Sequence, residues 1–256
     1  MIEPVLTGER TWPDVPQETY WFMRHLACYL WAAEQVGAEE VAADPRGAGS
    51  VLDAGSGEGY GAAQIACGSG IPVGASRVIA VEFDEATISH SRSRYPNVDH
   101  VQANLVSLPF ADCSFRAAVS LQVIEHIWDP LAYLSELDRC TSGSIVISTP
   151  NRPVHSPDIA RGESPANPFH VREYDAQELR ELLLEATPQR TVELYGLRHG
   201  VRIVEWEESN GGLPDALLAG DRQAESFAHD LERDDFVIAP LQADDDGRVH
   251  DLVALW

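Results

Sequence analysis

The chain has 256 residues, 44% of them hydrophobic, which is enough to supply the core of one α/β domain carrying an insertion. Its 41 acids face only 18 basic side chains, every one an arginine, and the formal net charge is −23. Such a surface repels phosphate backbones and anionic lipid, so nucleic acid and membrane are set aside as partners.

The first residues, Met1-Ile2-Glu3-Pro4, lack a basic region followed by an apolar one, so a cytoplasmic protein is expected. Up to Gln17 the chain reads as an arm, broken at Pro13 and Pro16. From Gln17 to about Val36, Met23, Leu26, Ala27, Leu30 and Ala33 recur at helical spacing, and Arg24 and His25 ride on that helix.

Val51-Leu52-Asp53-Ala54-Gly55-Ser56-Gly57-Glu58-Gly59 then reads as strand into tight turn, and the alanine-rich stretch from Ala62 as the helix that follows. Glycines there let a ligand approach the main chain, beside the unpaired N–H groups of a helix start. Either a dinucleotide or S-adenosylmethionine could use such a turn. A pyrophosphate would lie between Asp53 and Glu58, whereas the ammonium and sulfonium of S-adenosylmethionine suit those acids. The methyl donor is therefore the favoured ligand, with Asp53, Gly55, Ser56, Gly57 and Gly59 around it. Arg24 would pair its carboxylate if the preceding helix covers the turn.

Arg77–Glu82 is a second buried strand whose terminal acid stands where a ribose-binding carboxylate belongs. Phe83 would flank the adenine, and Asp84 caps a helix from Glu85 to about Arg94. After a short third strand at Val98 to Val101, the amide of Asn104 can both donate to and accept from an adenine edge, with Leu105 beside it. An asparagine serving only its own turn is the alternative. Ala117–Leu121 is the fourth strand, and Gln122, Glu125 and His126 stand at its carboxyl end, where open parallel sheets bind ligands. Asp129 and Pro130 open a helix with Leu131, Leu134 and Leu137 inward, and a fifth strand, Ser144–Ser148, leads to Asn151.

Between Pro150 and Arg172 runs a proline-rich connection carrying Arg152, His155, Asn167, Phe169 and His170, and connections of this length are usually lids or binding loops. It is read as the acceptor wall, and Tyr20, Asn151, His155 and His170 are the expected acceptor contacts. A helix from about Asp175 to Ala186, a sixth strand at Thr191–Tyr195 and a final strand at His250–Trp256 complete the elements. Trp206–Asp246 reads as an acidic insertion, and Asp244-Asp245-Asp246-Gly247 as a turn without the spaced ligands of a calcium loop. The four cysteines are scattered, with no C-x-x-C pair.

In order, Val51–Gly59, Val78–Glu82, Asn104-Leu105, Val119–His126 and Ile145–Asn151 resemble the motifs of class I S-adenosylmethionine-dependent methyltransferases. The resemblance implies a Rossmann-like fold: a seven-stranded, mostly parallel sheet with the last strand antiparallel and helices on both faces. Residues 1–256 are then one methyltransferase domain, with an N-terminal arm and helix at 1–48, a cofactor-binding core at 49–150 and acceptor and closing elements at 151–256. Leu6–Thr11, Tyr20-Trp21-Phe22, Arg24-His25, Gln122–His126 and Asn167–His170 further resemble mycobacterial sugar O-methyltransferases of methylglucose lipopolysaccharide synthesis, which implies a carbohydrate hydroxyl as acceptor.

Methyl transfer asks the protein mainly to align acceptor oxygen and sulfonium, with a base for the hydroxyl proton. His126 is the base expected, with Glu125 orienting it or binding a sugar hydroxyl. Gln122-x-x-Glu125-His126 also resembles the E-x-x-E-H magnesium site of ubiquinone-pathway and small-RNA O-methyltransferases, His170 adding a ligand; the glutamine in place of an acid weakens that alternative. A nicotinamide oxidoreductase is the rival class, and the chain has neither a Tyr-x-x-x-Lys pair nor any lysine.

Overall fold

The computed structural model describes residues 11–38, 50–67, 77–242, 245 and 248–256. The Leu6–Arg10 part of the resemblance, the start of the arm and most of the 244–247 turn lie outside these residues.

Eight strands form one sheet: β1 (Ser50–Ala54), β2 (Arg77–Glu82), β3 (Asp99–Gln102), β4 (Ala117–Leu121), β5 (Ile145–Pro150), β6 (Glu193–His199), β7 (Phe236–Pro240) and β8 (Asp251–Leu255). Their order is β3-β2-β1-β4-β5-β8-β6-β7. The first five run parallel, while β8 lies antiparallel between β5 and β6. The expected count of seven is corrected by β7, an edge strand antiparallel to β6 that arises inside the stretch read as an acidic insertion. Its proline falls at the strand end on the outer edge, where no ladder donor is missed.

The central strands read as β-branched runs because both faces are covered. Alternate residues feed two cores: Val51, Val119 and Val146 point to one, Leu52, Ala118 and Ile147 to the other. Against the first pack α1 (Thr19–Ala38) and α2 (Tyr60–Ala66), with α7 (Val201–Asn210), α8 (Leu213–Leu218) and α9 (Arg222–His229) farther along the sheet. Against the second pack α4 (Pro130–Cys140) and α6 (Ala176–Ala186) through Leu134, Leu137, Leu179 and Leu183. Each fully buried leucine contributes about 1.5–3 kcal/mol.

Helix starts follow their capping residues. Asp84 accepts from Ala86 and Thr87 N to start α3 (Glu85–Arg94), Asp129 accepts from Ala132 N ahead of Pro130, and Asp175 with Glu178 forms a capping box on α6. Those stops and starts bring the carboxyl ends of β1, β2, β4 and β5 to one rim of the sheet. Among the described residues no helix is long and apolar enough to cross a membrane.

Candidate active site

The rim is built first by the turn after β1. Gly55 and Ser56 N donate to the Val81 carbonyl at 2.8 and 2.9 Å, which ties the turn to β2. Gly57 N donates to Glu82 Oε2 at 3.1 Å, and Phe83 and Asp84 N donate to Oε1 at 2.9 and 3.1 Å. Glu82 therefore staples two loops at once. Asp53 is fully buried beneath the turn; Tyr29 donates its hydroxyl to Oδ1 at 3.3 Å, and Oδ2 has no hydrogen-bond partner among the described residues. Burial, reinforced by the charge of Glu82, pushes its carboxyl up to about 7.

The next wall comes from the end of β4. Gln122 takes φ of 56°, a left-handed conformation that costs a non-glycine residue about 1–2 kcal/mol. Its backbone N and side-chain amide both bind Ser148, which holds the reversal. Residues Ile124–His126 then make one turn of 3-10 helix. Glu125 is buried, accepting from Thr149 Oγ1 at 3.1 Å, and burial pushes its carboxyl up to about 8. His126 Nδ1 donates to the Phe169 carbonyl at 3.1 Å, so the imidazole carries its lone pair on Nε2.

The acceptor wall docks onto this turn. After the short helix α5 (Arg152–His155), Val171 and Arg172 N donate to the Glu125 carbonyl at 2.7 and 3.2 Å. That fixes His170 beside His126, ring centroids 5.0 Å apart. His170 Nδ1 donates to Glu173 Oε1 at 2.7 Å, and Asn167 Nδ2 donates to its Nε2 at 3.0 Å.

These walls enclose a cleft of about 910 Å³, lined at one end by Glu82, Phe83, Asn104 and Leu105 and at the other by His126, Trp128, Phe169 and His170. It meets a smaller cavity of about 70 Å³, lined by Thr11, His25, Ser56 and Tyr60, across Gly55, Gly57 and Gln122.

A methyltransferase-domain family model matches residues 52–147. A probable S-adenosylmethionine-dependent methyltransferase of Mycobacterium tuberculosis is 44% identical over 209 residues, covering 81% of this chain and 69% of its own. One of Mycolicibacterium smegmatis is 38% identical over 262 residues, covering 98% and 93%. The chain belongs to the S-adenosylmethionine-dependent methyltransferases. The dinucleotide reading of the glycine turn, and with it the oxidoreductase, is thereby set aside. The fold of this methyltransferase is also that of a solved Thermotoga maritima S-adenosylmethionine-dependent methyltransferase described as a possible histamine N-methyltransferase, with TM-score 0.54 at 17% identity over 92% of this chain and 91% of that one.

The residues present fit the methyltransferase's cofactor. An orphaned, buried carboxylate oxygen on Asp53 is the complement of a cation, and Gly57 has open space where a Cβ would stand. Asn104 lines the cleft, and its Oδ1 accepts from Val106 N at 3.1 Å, which leaves the NH₂ for a ligand. Arg24 is placed elsewhere than expected: its Nε donates to Asp251 Oδ2 at 2.6 Å and Nη2 to Oδ1, an ion pair buried between α1 and β8. A lone buried carboxylate on β8 would be too costly, and the Arg24 guanidinium satisfies it.

Of the four expected acceptor contacts, only His170 lines the methyltransferase's cleft. Tyr20 is fully buried, its hydroxyl 2.7 Å from His199 Nε2; Asn151 Nδ2 donates to the Val249 carbonyl at 2.8 Å, and His155 Nε2 to the His250 carbonyl at 3.0 Å. Tyr20 fastens the end of β6, and Asn151 and His155 the approach to β8. Sequence reasoning missed Tyr29, which holds Asp53 from α1, and Glu173, which orients His170. The i, i+3 spacing of His170 and Glu173 was the one legible signal.

The magnesium alternative does not fit. Gln122, which stands for the first carboxylate, turns its amide to Ser148 Oγ at 3.0 Å, and the remaining donors are two imidazoles and one carboxylate, whereas magnesium asks for oxygen.

Proposed function

We propose that this methyltransferase transfers the methyl group of S-adenosylmethionine to a hydroxyl of a carbohydrate. The observation that carries the reading is the continuous cleft, which runs from Glu82 and Asn104 to the imidazoles of His126 and His170. Glu82 takes ribose hydroxyls, Asn104 the adenine edge with Phe83 and Leu105 against its faces, and Asp53 with the glycine turn the methionine end. Beyond His126, the exposed aromatic face of Trp128 stands beside Phe169, Asp129 and Ser164. Apolar plates interleaved with hydrogen-bonding groups suit a pyranose, which has an apolar face and a hydroxyl edge.

Held by Glu82, Asn104 and Asp53, S-adenosylmethionine would supply an electrophilic methyl group on its sulfonium, with S-adenosylhomocysteine as the leaving group when the acceptor oxygen bonds to that carbon. The hydroxyl proton passes to His126 Nε2, whose tautomer is held by the Phe169 carbonyl. Glu125, whose carbonyl accepts from Val171 and Arg172 N and whose carboxylate accepts from Thr149, steadies the turn that presents this imidazole. A net charge of −23 supports a diffusible acceptor in the cytoplasm over a polynucleotide or an anionic membrane.

The test is label transfer from methyl-labelled cofactor to methylated and unmethylated glucose and mannose oligosaccharides. Label in sugar is expected; label only in phenols or amines overturns the acceptor. His126→Ala should lower kcat by about 10²–10⁴-fold while cofactor affinity stays as in the parent, and undiminished turnover removes it as the base.

A further inference from the structure

With Arg24 committed to Asp251, the carboxylate of the cofactor's methionine end loses the cation expected for it, and no other arginine is among the described residues that line the small cavity beside the glycine turn. We infer that Thr11, His25 and Tyr60 hold this carboxylate instead, as an uncharged cluster of two hydroxyls gathered on one imidazole. The cavity, of about 70 Å³, is several times what one water needs. It joins the main cleft across Gly55, Gly57 and Gln122, so it can take the amino-acid end of a cofactor whose ribose meets Glu82.

Both hydroxyls converge on a single nitrogen: the Thr11 hydroxyl lies 3.2 Å and the Tyr60 hydroxyl 3.1 Å from His25 Nδ1. That nitrogen carries either one proton or one lone pair, so it satisfies the two hydroxyls only in part. If it carries the lone pair, it accepts from one hydroxyl and leaves the other. If it carries the proton, it donates to their oxygens and leaves both O–H groups for the cavity. A carboxylate, which only accepts, uses both at once.

Burial, with the Arg24 charge nearby, pushes His25 down to about 4, and burial pushes the Tyr60 hydroxyl up, so all three groups are neutral at pH 7. Neutral donors fit the charge of the site. Asp53 and Glu58, both buried at the glycine turn, suit the ammonium and sulfonium but repel a carboxylate. Oriented O–H groups hold that anion by charge-assisted hydrogen bonds, without a further buried cation.

Thr11 reaches the cavity because the arm is tied across α3. The Trp12 ring packs on His90 with centroids 5.1 Å apart, His90 Nδ1 stands 2.6 Å from Glu58 Oε2, and Asp14 pairs with Arg94 at 2.5 Å. Trp12 is thus a positioning residue for the Thr11 hydroxyl.

The inference rests on the cofactor's seat along the glycine turn and is independent of the acceptor. Full-length protein is titrated in a calorimeter with S-adenosylmethionine and with its decarboxylated analogue, which keeps the ammonium and sulfonium. Thr11→Val and Tyr60→Phe each remove one hydroxyl at nearly constant shape. Each should lower the ratio of the two affinities by about 10- to 100-fold, while the analogue's own affinity stays within about twofold of the parent's. Trp12→Ala should lower the ratio likewise and add nothing to Thr11→Val. Should Trp12→Ala fail to fold, as its melting curve tells, Asp14→Asn takes its place in that comparison. A ratio unchanged in either hydroxyl variant, or equal losses for both ligands, overturns the carboxylate assignment. Additive effects at Trp12 and Thr11 overturn the strap. Failure of the parent to bind either ligand overturns the cofactor's seat itself.

Discussion

The raised carboxyl of Asp53 keeps its proton through the acid range, whereas the cofactor cation that we assign to it asks for a charge. Burial, with Glu82 nearby, keeps the folded carboxyl near 7 against an ordinary 3.8, while Tyr29 partly offsets the shift. In the unfolded chain the proton leaves above 3.8, so between that value and about 7 rising pH removes stability, and above 7 the loss is complete. Binding has the opposite sign. An ammonium or sulfonium selects the carboxylate, so cofactor affinity should climb up to about tenfold per pH unit toward 7 and level off above it. Calorimetry between pH 5 and 8 reads this directly, and a flat profile would detach Asp53 from the ligand. Glu82→Ala should weaken cofactor binding by about 10- to 100-fold, or about 1.4–2.8 kcal/mol. It should also lower stability, because Gly57, Phe83 and Asp84 N lose their acceptor. Unchanged affinity in calorimetry would take the residue out of the site.

At the scale of elements, two glycines of one turn separate folding from binding. Gly59 has φ of +82°, and a Cβ there would stand 1.8 Å from Ser91 Oγ on α3, with the Tyr95 ring also close. Gly57 has φ of +50° and nothing within 4 Å of an added Cβ. Gly57→Ala should therefore cost only the left-handed penalty of about 1–2 kcal/mol in denaturant unfolding, while the methyl group intrudes on the cleft and cuts cofactor affinity. Gly59→Ala should cost more stability than that, and equal losses in the two variants would contradict the packing. The turn itself was legible in the sequence, as were β1, β2, β4 and β5, because a parallel sheet buried on both sides demands unbroken apolar runs between punctuating glycines, acids and prolines. Caps at Asp84, Asp129 and Asp175 fixed three helix starts for the same local reason. Less could be read where long-range pairing decides. Phe236–Pro240 looks like a scrap of apolar chain after Arg233-Asp234-Asp235, and only β6 beside it makes it a strand. Likewise Arg24, Tyr20 and His155 carry the right chemistry for a ligand, yet Asp251, His199 and the His250 carbonyl claim them from more than 90 residues away. Local spacing contains no trace of such partners.

For the molecule as a whole, charge is the dominant unbalanced quantity. Arginines are heavily committed to internal pairs: Arg24 to Asp251, Arg139 to Glu136 and Asp112, Arg152 to Asp175 and Glu178, Arg190 to Asp138, Arg202 to Asp235. With 41 acids to 18 arginines, the surplus carboxylates repel one another across the surface. Two salt effects compete. Added electrolyte weakens exposed pairs such as Arg233–Asp234, but those contribute only about 0–1 kcal/mol each, whereas it screens every repulsion between acids separated by more than about 10 Å at 0.1 M. The repulsion is summed over a net charge of −23 and is stronger in the compact state than in the expanded unfolded chain, so screening should favour folding. Melting temperature should therefore rise between about 0.01 and 0.3 M sodium chloride, over which the Debye length falls from about 30 Å to well under 10 Å. Potassium chloride should act alike, because the effect is ionic strength and not a bound ion. A melting temperature that stays level or falls would mean the internal arginine pairs, and not the surface acids, set the electrostatic balance of the fold.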